Sequence, residues 1–126
     1  MLVKGKTATA TTIVTDKNTA KAVGSGNLDV FATPMMIALM EQAACECLAD
    51  SLESGQSSVG TQINVAHTAA SPVNAKITAI ATIENVDGRK ISFTVTAHDA
   101  TNEIGSGTHE RFIIDAERFM KKLEQR

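Results

Sequence analysis

One stretch in the first half of the chain has the apolar spacing of an α-helix. It begins at Thr33 and Pro34, because Thr is a favoured N-cap residue and Pro is favoured at the first helical position. Apolar residues then recur at helical intervals, at Met36, Leu39, Met40, Ala43, Ala44, Cys47 and Leu48. The opposite side is apolar too, at Ile37, Ala38 and Cys45. A helix that is hydrophobic nearly all round is buried, so we predict a buried helix over residues 33–52, stopped by Gly55.

The rest of the chain has the alternating or β-branched patterns that are typical of strands. We predict strands over residues 5–15, 57–67, 75–86, 91–97 and 103–114. Asp87 and Gly88 are a strong hairpin signal between the third and fourth of these strands. Residues 16–27 are polar, contain glycine and are predicted to form a loop or lid. The tail carries an apolar stripe that predicts a short terminal helix, at Phe119, Met120 and Leu123.

These elements give the order strand, long helix and four further strands. One antiparallel sheet wrapped around the helix buries it most economically, which predicts an α+β fold. The chain has 126 residues, enough for one hydrophobic core without disulfides or metals. We therefore expect a single domain that spans residues 1–126.

Composition and charge narrow the classes of partner. The net charge is −2 and aromatic residues make up 3% of the chain, with no Trp and no Tyr. A chain with few stacking rings and no strong basic patch is not expected to bind nucleic acid. No apolar run approaches the ~20 residues of a membrane-spanning helix, and residues 1–12 lack the apolar segment of a signal peptide. We expect a cytoplasmic protein with no membrane partner.

Glu41 is the most informative single residue for function. Its helical neighbours three and four positions away are all apolar, namely Ile37, Ala38, Ala44 and Cys45. An ionised carboxylate in such surroundings is costly to desolvate, and acids held on buried elements are typical of functional sites. The alternative is that Glu41 reaches solvent through a gap in the sheet, as Glu46 is expected to do.

The three histidines differ in their surroundings. His67 ends a predicted strand and shares a face with Val59 and Val65. It is either a functional residue or a hydrogen-bonded residue of the core. His98 and His109 lie on later strands among polar residues, and we expect both at the surface.

Thr33 stands where the long helix begins. An N-cap role alone would explain it, but a helix N-terminus also offers unpaired N–H groups and a positive dipole end. Either an anionic group or a developing oxyanion would be stabilised there. The sequence contains no zinc-binding pattern, no phosphate-binding glycine loop and no Gly-x-Ser-x-Gly nucleophile elbow. We therefore expect neither a metal site nor a cofactor.

Four strings occur in an order that is more specific than any single residue. They are VFATP at residues 30–34, LME at 39–41, VGTQINVAHTAA at 59–70 and GTHERF at 107–112. In this order they resemble the fluoroacetyl-CoA thioesterase-like family of hotdog proteins, and the resemblance covers about residues 5–115. The spacing from Thr33 to Glu41 to His67 matches the family's Thr/Glu/His set without an insertion.

The resemblance implies a hotdog fold and the hydrolysis of an acyl-CoA thioester, with CoA as part of the substrate. It implies that Thr33, Glu41 and His67 form the catalytic set. Glu41 would be a general base toward water, or a nucleophile that forms a transient anhydride. The resemblance also implies a homodimer whose two sheets join edge to edge and whose active sites lie at the subunit interface.

Two further residues match substrate-binding positions of the family. Gly60 matches the position where the backbone closely approaches the acyl group, a task that suits a residue without Cβ. From the residues alone, Arg111 is either solvated or paired with a carboxylate or a CoA phosphate, and in the family it matches an arginine near the active-site entrance. One feature departs from the family, because the fluoroacetyl-specific member has aromatic side chains just before the helix and residues 21–27 contain none. The sequence therefore predicts a different short acyl-CoA as substrate.

Two alternatives stay open at this point. A hotdog protein that binds acyl-CoA or another apolar ligand without turnover would need a pocket but no base. A hotdog enoyl-thioester hydratase would need a catalytic Asp/His pair on a hydratase-type segment, and the sequence contains no such string.

Overall fold

The computed structural model describes the whole chain, Met1–Arg126, and consists of one sheet with three helices. The elements follow in the order β1 (Thr7–Ile13), α1 (Ala20–Val23), α2 (Thr33–Ala49), β2 (Gln56–His67), β3 (Lys76–Asp87), β4 (Lys90–His98), β5 (Glu103–Asp115) and α3 (Ala116–Glu124). The five strands pair antiparallel in the order β1-β3-β4-β5-β2. The predicted α+β hotdog architecture is confirmed, including the short C-terminal helix.

The core lies between α2 and the concave face of the sheet. α2 contributes its regularly spaced apolar side, at Met36, Leu39, Met40, Ala43, Ala44, Cys47 and Leu48. The other side of the helix is not covered, since Ala38 and Cys45 are exposed and Ile37 is only partly buried. The prediction of a helix buried all round is therefore wrong for a single chain, because one curled sheet covers only one side of the helix.

The helix begins and ends differently from the prediction. Its N-cap residue is Ala32, which makes no side-chain capping bond, and Thr33 is the first helical residue. The predicted N-cap role of Thr33 is wrong, because the Thr33 side chain bonds elsewhere, as described below. At the other end the helix stops at Ala49, before the predicted boundary, and the following turn leads through Gly55, whose φ of 85° favours glycine.

The predicted lid is a loop that contains one short helical turn, α1. Thr19 caps this turn, since its Oγ1 accepts a hydrogen bond from the Ala22 amide at 3.1 Å. Gly24 ends it with φ of 79°. No helix in the structure combines the length and the apolar character that crossing a membrane requires.

Strand β2 carries a β-bulge that the sequence did not predict. Gly60 pairs with Arg111 and Gln62 pairs with the preceding residue of β5, which leaves Thr61 as the extra residue. The predicted single face from Val59 to His67 is wrong, because one inserted residue reverses the alternation of side chains. Gly60 before the bulge and His67 after it can therefore both point toward α2.

Candidate active site

An ion pair between α2 and β5 forms the centre of the first candidate site. Arg111 Nη1 donates a hydrogen bond to Glu41 Oε2 at 3.0 Å. The Arg111 side chain is 8% exposed, whereas that of Glu41 is 41% exposed. The purely apolar surroundings expected for Glu41 are thus incomplete, since a buried guanidinium balances the charge on one side and solvent reaches it on the other.

The Arg111 guanidinium is held by three hydrogen bonds besides the one to Glu41. Its Nε donates to Ser58 Oγ at 2.9 Å and its Nη2 donates to the Ser58 carbonyl at 3.2 Å. Its Nη1 also lies 3.2 Å from His109 Nε2. Of the two partners predicted for Arg111, the structure provides the carboxylate and keeps the guanidinium inside the chain.

His109 is buried, with 3% of the residue exposed, so its predicted surface position is wrong. Its ring stacks on Phe93, and its Nδ1 lies 2.7 Å from the carbonyl oxygen of Gln62. Burial is the main reason that the pKa of His109 lies below its ordinary value. The polar neighbours in the sequence hid this position, but alternation along β5 puts His109 on the same face as Arg111.

Gly60 completes this arrangement because it has no side chain. A Cβ at this position would lie 2.6 Å from Glu41 Oε2 and 3.2 Å from Arg111 Nη1. The space in front of it is an open cavity of about 310 Å³, and its lining includes Glu41, Gly60, Ile63 and His109. We refer to Glu41, Ser58, Gly60, His109 and Arg111 as the Glu41 cluster.

Thr33 and His67 form a second, separate arrangement, the Thr33–His67 pair. A hydrogen bond of 2.8 Å joins Thr33 Oγ1 to His67 Nδ1. The other ring nitrogen, His67 Nε2, is buried and has no hydrogen-bond partner. Burial lowers the pKa of His67, which favours the neutral form of its ring. An adjoining cavity of about 250 Å³ is lined in part by Phe31, Thr33 and His67.

Within one chain the predicted catalytic residues fall into two places. Thr33 and Glu41 are eight residues apart on α2, which corresponds to about 12 Å along the helix axis. The two cavities share no lining residue. The structure therefore brings together Thr33 with His67, and Glu41 with Gly60 and Arg111, but it does not bring the two groups to each other.

The two groups can do different chemistry. Glu41 Oε1 accepts no hydrogen bond from the protein, so this oxygen is free to take a proton from a bound water. The Thr33–His67 pair lies at the N-terminus of α2, where the positive end of the helix dipole can stabilise negative charge. No group of three or more His, Cys, Asp or Glu side chains is arranged to hold a metal ion.

Comparison with known proteins places this site in a family. Residues 14–117 match the family model described as fluoroacetyl-CoA-specific thioesterase. The chain is also 48% identical over 98 residues to the fluoroacetyl-CoA thioesterase of Streptantibioticus cattleyicolor. The aligned region covers 78% of this chain and 70% of that protein. The residues that match the family model include every residue of the Glu41 cluster, as well as Thr33 and His67.

Solved structures agree with this result. A structure of the fluoroacetyl-CoA thioesterase FlK superimposes with a TM-score of 0.94 and is 39% identical, covering 100% of this chain and 98% of that one. A Thermus thermophilus protein described as a thioesterase superfamily member superimposes with a TM-score of 0.90 at 25% identity, covering 99% and 95% of the two chains. The chain is a thioester hydrolase and belongs to the fluoroacetyl-CoA-specific thioesterase family.

Proposed function

We propose that this protein hydrolyses a short-chain acyl-CoA thioester and that Glu41 is the reacting carboxylate. The observation that carries the proposal is the orientation of this side chain. Arg111 fixes Oε2 at 3.0 Å while Oε1 stays free, beside a glycine and a small cavity. A carboxylate that is held at one oxygen and open at the other is suited to act on water or on a thioester carbonyl.

Two routes fit this arrangement. In the first, Glu41 takes a proton from water as the water oxygen attacks the thioester carbonyl carbon, and the C–S bond then breaks to release CoA thiolate. In the second, a Glu41 oxygen attacks the carbonyl carbon itself, the thiolate leaves, and water then hydrolyses the resulting anhydride. Neither route needs a cofactor, and both end with a carboxylic acid and free CoA.

The Thr33–His67 pair would act on the developing negative charge and on proton exchange. His67 Nε2 is a buried polar atom without a partner, which is costly unless substrate, solvent or another chain supplies one. The Thr33 amide, at the start of α2, makes no hydrogen bond within the chain, whereas the Met35 and Met36 amides both donate to the Ala32 carbonyl oxygen. These features support a role in orienting the thioester oxygen or in passing a proton to the leaving group.

A homodimer would bring the two groups together. β2 is a long edge strand, and the uncovered side of α2 carries Ile37, Ala38 and Cys45 around Glu41. Unpaired edges and exposed apolar faces of this kind favour association. Covering this side of α2 would also give Glu41 the apolar surroundings that a single chain leaves incomplete.

The spacing of the residues supports a two-fold arrangement of this kind. If α2 packs antiparallel on its copy with Ile37 at the two-fold axis, Thr33 faces Glu41 of the partner subunit, since each is four residues from the axis. If β2 pairs antiparallel with its copy across the same axis near Ile63, the His67 end of one strand lies beside the Gly60 end of the partner strand. Both contacts then repeat symmetrically in the two sites, as an isologous interface requires.

The small cavities and the lid support a short acyl group. The cavity volumes are about 310 and about 250 Å³, at or below the small end of the usual range for ligand sites. Residues 21–27 contain no aromatic residue, so this part of the lid has no aromatic ring to place over the acyl group. We therefore favour a short acyl-CoA other than fluoroacetyl-CoA, and we favour a cytoplasmic location because acyl-CoA is an intracellular substrate.

A free-thiol release assay over short, branched and aromatic acyl-CoAs tests the activity and its substrate range. We expect turnover on short thioesters and a loss of at least about 10²-fold in kcat for Glu41→Gln. Glu46→Gln, which changes an exposed glutamate on the same helix, is the matched control and should keep its activity. Binding without turnover across the panel would instead support the non-catalytic alternative, and a fully active Glu41→Gln protein would contradict the role of Glu41.

Complementation between two inactive variants tests the shared site. Glu41→Gln and His67→Ala chains with different tags would be co-expressed, and the mixed dimer would be isolated through both tags. If each site takes Glu41 from one chain and His67 from the other, the mixed dimer has one intact site and about half of the wild-type activity. An inactive mixed dimer, or a wild-type protein that is monomeric in solution, would contradict the proposal.

A further inference from the structure

His109 is a buried histidine to which the mechanism above gives no role. It lies on β5 two residues before Arg111, and its side chain is 1% exposed. The nearest charged groups are Arg111 on the same strand and Glu41 on α2, and Glu110 also acts on it by charge. A polar ring that is buried beside a proposed catalytic carboxylate calls for a physical reason.

The hydrogen bonds fix which ring nitrogen carries the proton. The Gln62 carbonyl oxygen can only accept, so His109 Nδ1, which lies 2.7 Å from it, donates. The neutral ring then has a lone pair on Nε2, which lies 3.2 Å from Arg111 Nη1. An arginine nitrogen can only donate, so Arg111 donates to His109. Glu41 Oε2 lies 3.9 Å from His109 Nε2, beyond hydrogen-bond distance.

Arg111 Nη1 carries two hydrogens, and each has a separate acceptor. One is directed to Glu41 Oε2 and the other to His109 Nε2. Ser58 holds the Nε and Nη2 atoms of the same guanidinium, whereas only His109 and Glu41 hold Nη1. The acceptor that His109 supplies therefore helps to orient Arg111 Nη1, and with it the hydrogen bond from Nη1 to Glu41 Oε2.

We propose that His109 is a positioning residue of the thioesterase site, whose Nε2 lone pair orients Arg111 so that Arg111 presents Glu41 to the substrate. The inference rests on the proposed function, because it assumes that Glu41 is the reacting group. It assigns to His109 an effect on turnover through Arg111, without contact between His109 and the thioester.

Two substitutions separate positioning from packing. His109→Leu fills the same space with an apolar side chain of similar size but removes the acceptor. We expect kcat to fall about 10- to 100-fold with little change in KM, because a small displacement of a catalytic group has an effect of this size. His109→Gln supplies an amide oxygen that can accept from Arg111, and it should recover most of the lost kcat. His98→Leu, at a half-buried position on β4 outside the Glu41 cluster, is the matched control. Equal kcat values for the Leu and Gln variants, or an undiminished kcat for His109→Leu, would overturn the proposal.

A spectroscopic measurement checks the same assignment in the wild-type protein. The side-chain ¹⁵N shifts of His109 should report a neutral ring with the proton on Nδ1, and a proton on Nε2 would overturn the proposal because Nε2 could not then accept from Arg111. The outcomes are distinguishable from failure of the proposed function. A Glu41→Gln protein with wild-type turnover would remove the catalytic role of Glu41 itself, whereas an inactive Glu41→Gln beside a fully active His109→Leu would refute only the positioning role.

Discussion

Glu41 and Thr33 lie on the same uncovered side of α2, about two turns apart, yet their surroundings differ in charge, burial and number of partners. Glu41 is an anion that is held by a buried guanidinium with three further hydrogen bonds. Thr33 is an exposed neutral hydroxyl with one hydrogen bond to His67, and the far nitrogen of that histidine has no partner.

The difference lies in how complete each group is within one chain. In the Glu41 cluster, protein atoms accept the hydrogen bonds of the buried Arg111 guanidinium. The geometry of the cluster is therefore preorganised before substrate arrives. In the Thr33–His67 pair, His67 Nε2 has no hydrogen-bond partner of good geometry in the chain, so this nitrogen is open to substrate, solvent or another chain. Loss of the Arg111 guanidinium should therefore have a larger effect on turnover than loss of the Thr33 hydroxyl.

The largest effect is expected for Arg111→Leu. Without the guanidinium, Glu41 loses the hydrogen bond that orients it, and we expect kcat to fall by about 10²-fold or more. Arg111→Lys keeps the charge but cannot make the same set of bonds, so its kcat should be intermediate. Arg118→Leu, which removes an exposed arginine of α3, is the control for loss of positive charge. Steady-state kinetics of the three variants would contradict the preorganised cluster if Arg111→Leu behaved like Arg118→Leu.

The next effect is expected for Gly60→Ala. Its Cβ would meet Glu41 Oε2 at 2.6 Å, so the carboxylate must move away, and we expect kcat to fall about 10-fold or more while the fold is kept. The stability should change little, because the atom that must move is the end of a flexible side chain. Kinetics and thermal unfolding of the same sample check both expectations, and an unchanged kcat would show that the close approach of Gly60 has no functional role.

Gly107→Ala provides the contrast to Gly60→Ala. A Cβ at Gly107 would lie 2.1 Å from the Asn64 carbonyl oxygen and 2.6 Å from Val65 Cα, which are backbone atoms of β2. The strands must separate to accept it, so we expect a loss of about 1–3 kcal/mol or more in the free energy of unfolding. Urea unfolding measures the loss, and a variant as stable as Gly60→Ala would contradict the tight contact between β5 and β2.

A smaller effect on turnover is expected for Thr33→Val, which removes the hydroxyl and keeps the shape of the side chain. One neutral hydrogen bond contributes about 0.5–1.5 kcal/mol, which corresponds to about a 2- to 13-fold reduction in kcat if the bond acts fully in the transition state. Thr33→Ser keeps the hydroxyl and should stay close to wild type. A Thr33→Val effect as large as that of Arg111→Leu would mean that the pair and the cluster contribute equally.

The smallest effect concerns stability as the pH is lowered. Burial lowers the pKa of His67 and of His109 below 6.5, the value for the unfolded chain. The unfolded state therefore takes up protons first, so the free energy of unfolding should fall as the pH decreases below about 6.5 toward the folded pKa values. Urea unfolding at several pH values measures this, and His67→Gln and His109→Gln separate the two contributions. A free energy of unfolding that is independent of pH in this range would contradict the burial of both rings.

Much of the fold could be predicted because it depends on regular spacing. The interval of apolar residues in α2 and the alternation in the strands are properties of neighbouring residues, and the sequence displays them directly. The uncovered side of α2 could not be predicted in the same way. Apolar residues such as Ala38 and Cys45 are compatible with burial by the sheet or by another chain. Periodicity reports that a face is apolar but does not report what covers it.

The site was predicted less completely, for two physical reasons. The bulge at Thr61 was missed because Thr61 fits the alternation of β2, although a glycine inside a strand, here Gly60, is a known signal of a bulge. The bulge decides where Gly60 points. The burial of His109 was hidden by polar neighbours that face the other side of β5. Its spacing of two residues from Arg111 was the available signal.

The bulge in β2 also limits which changes of chain length the protein can accept. Replacing Thr61 by another residue leaves two residues opposite one and so preserves the local geometry. Removing Thr61 would restore regular pairing and rotate one part of the strand relative to the other. Such a chain would keep every proposed catalytic residue and lose the alignment between Gly60 and His67. The number of residues between Gly60 and His67 therefore matters as well as their identity. An insertion or a deletion in this segment changes that number, whereas a substitution does not.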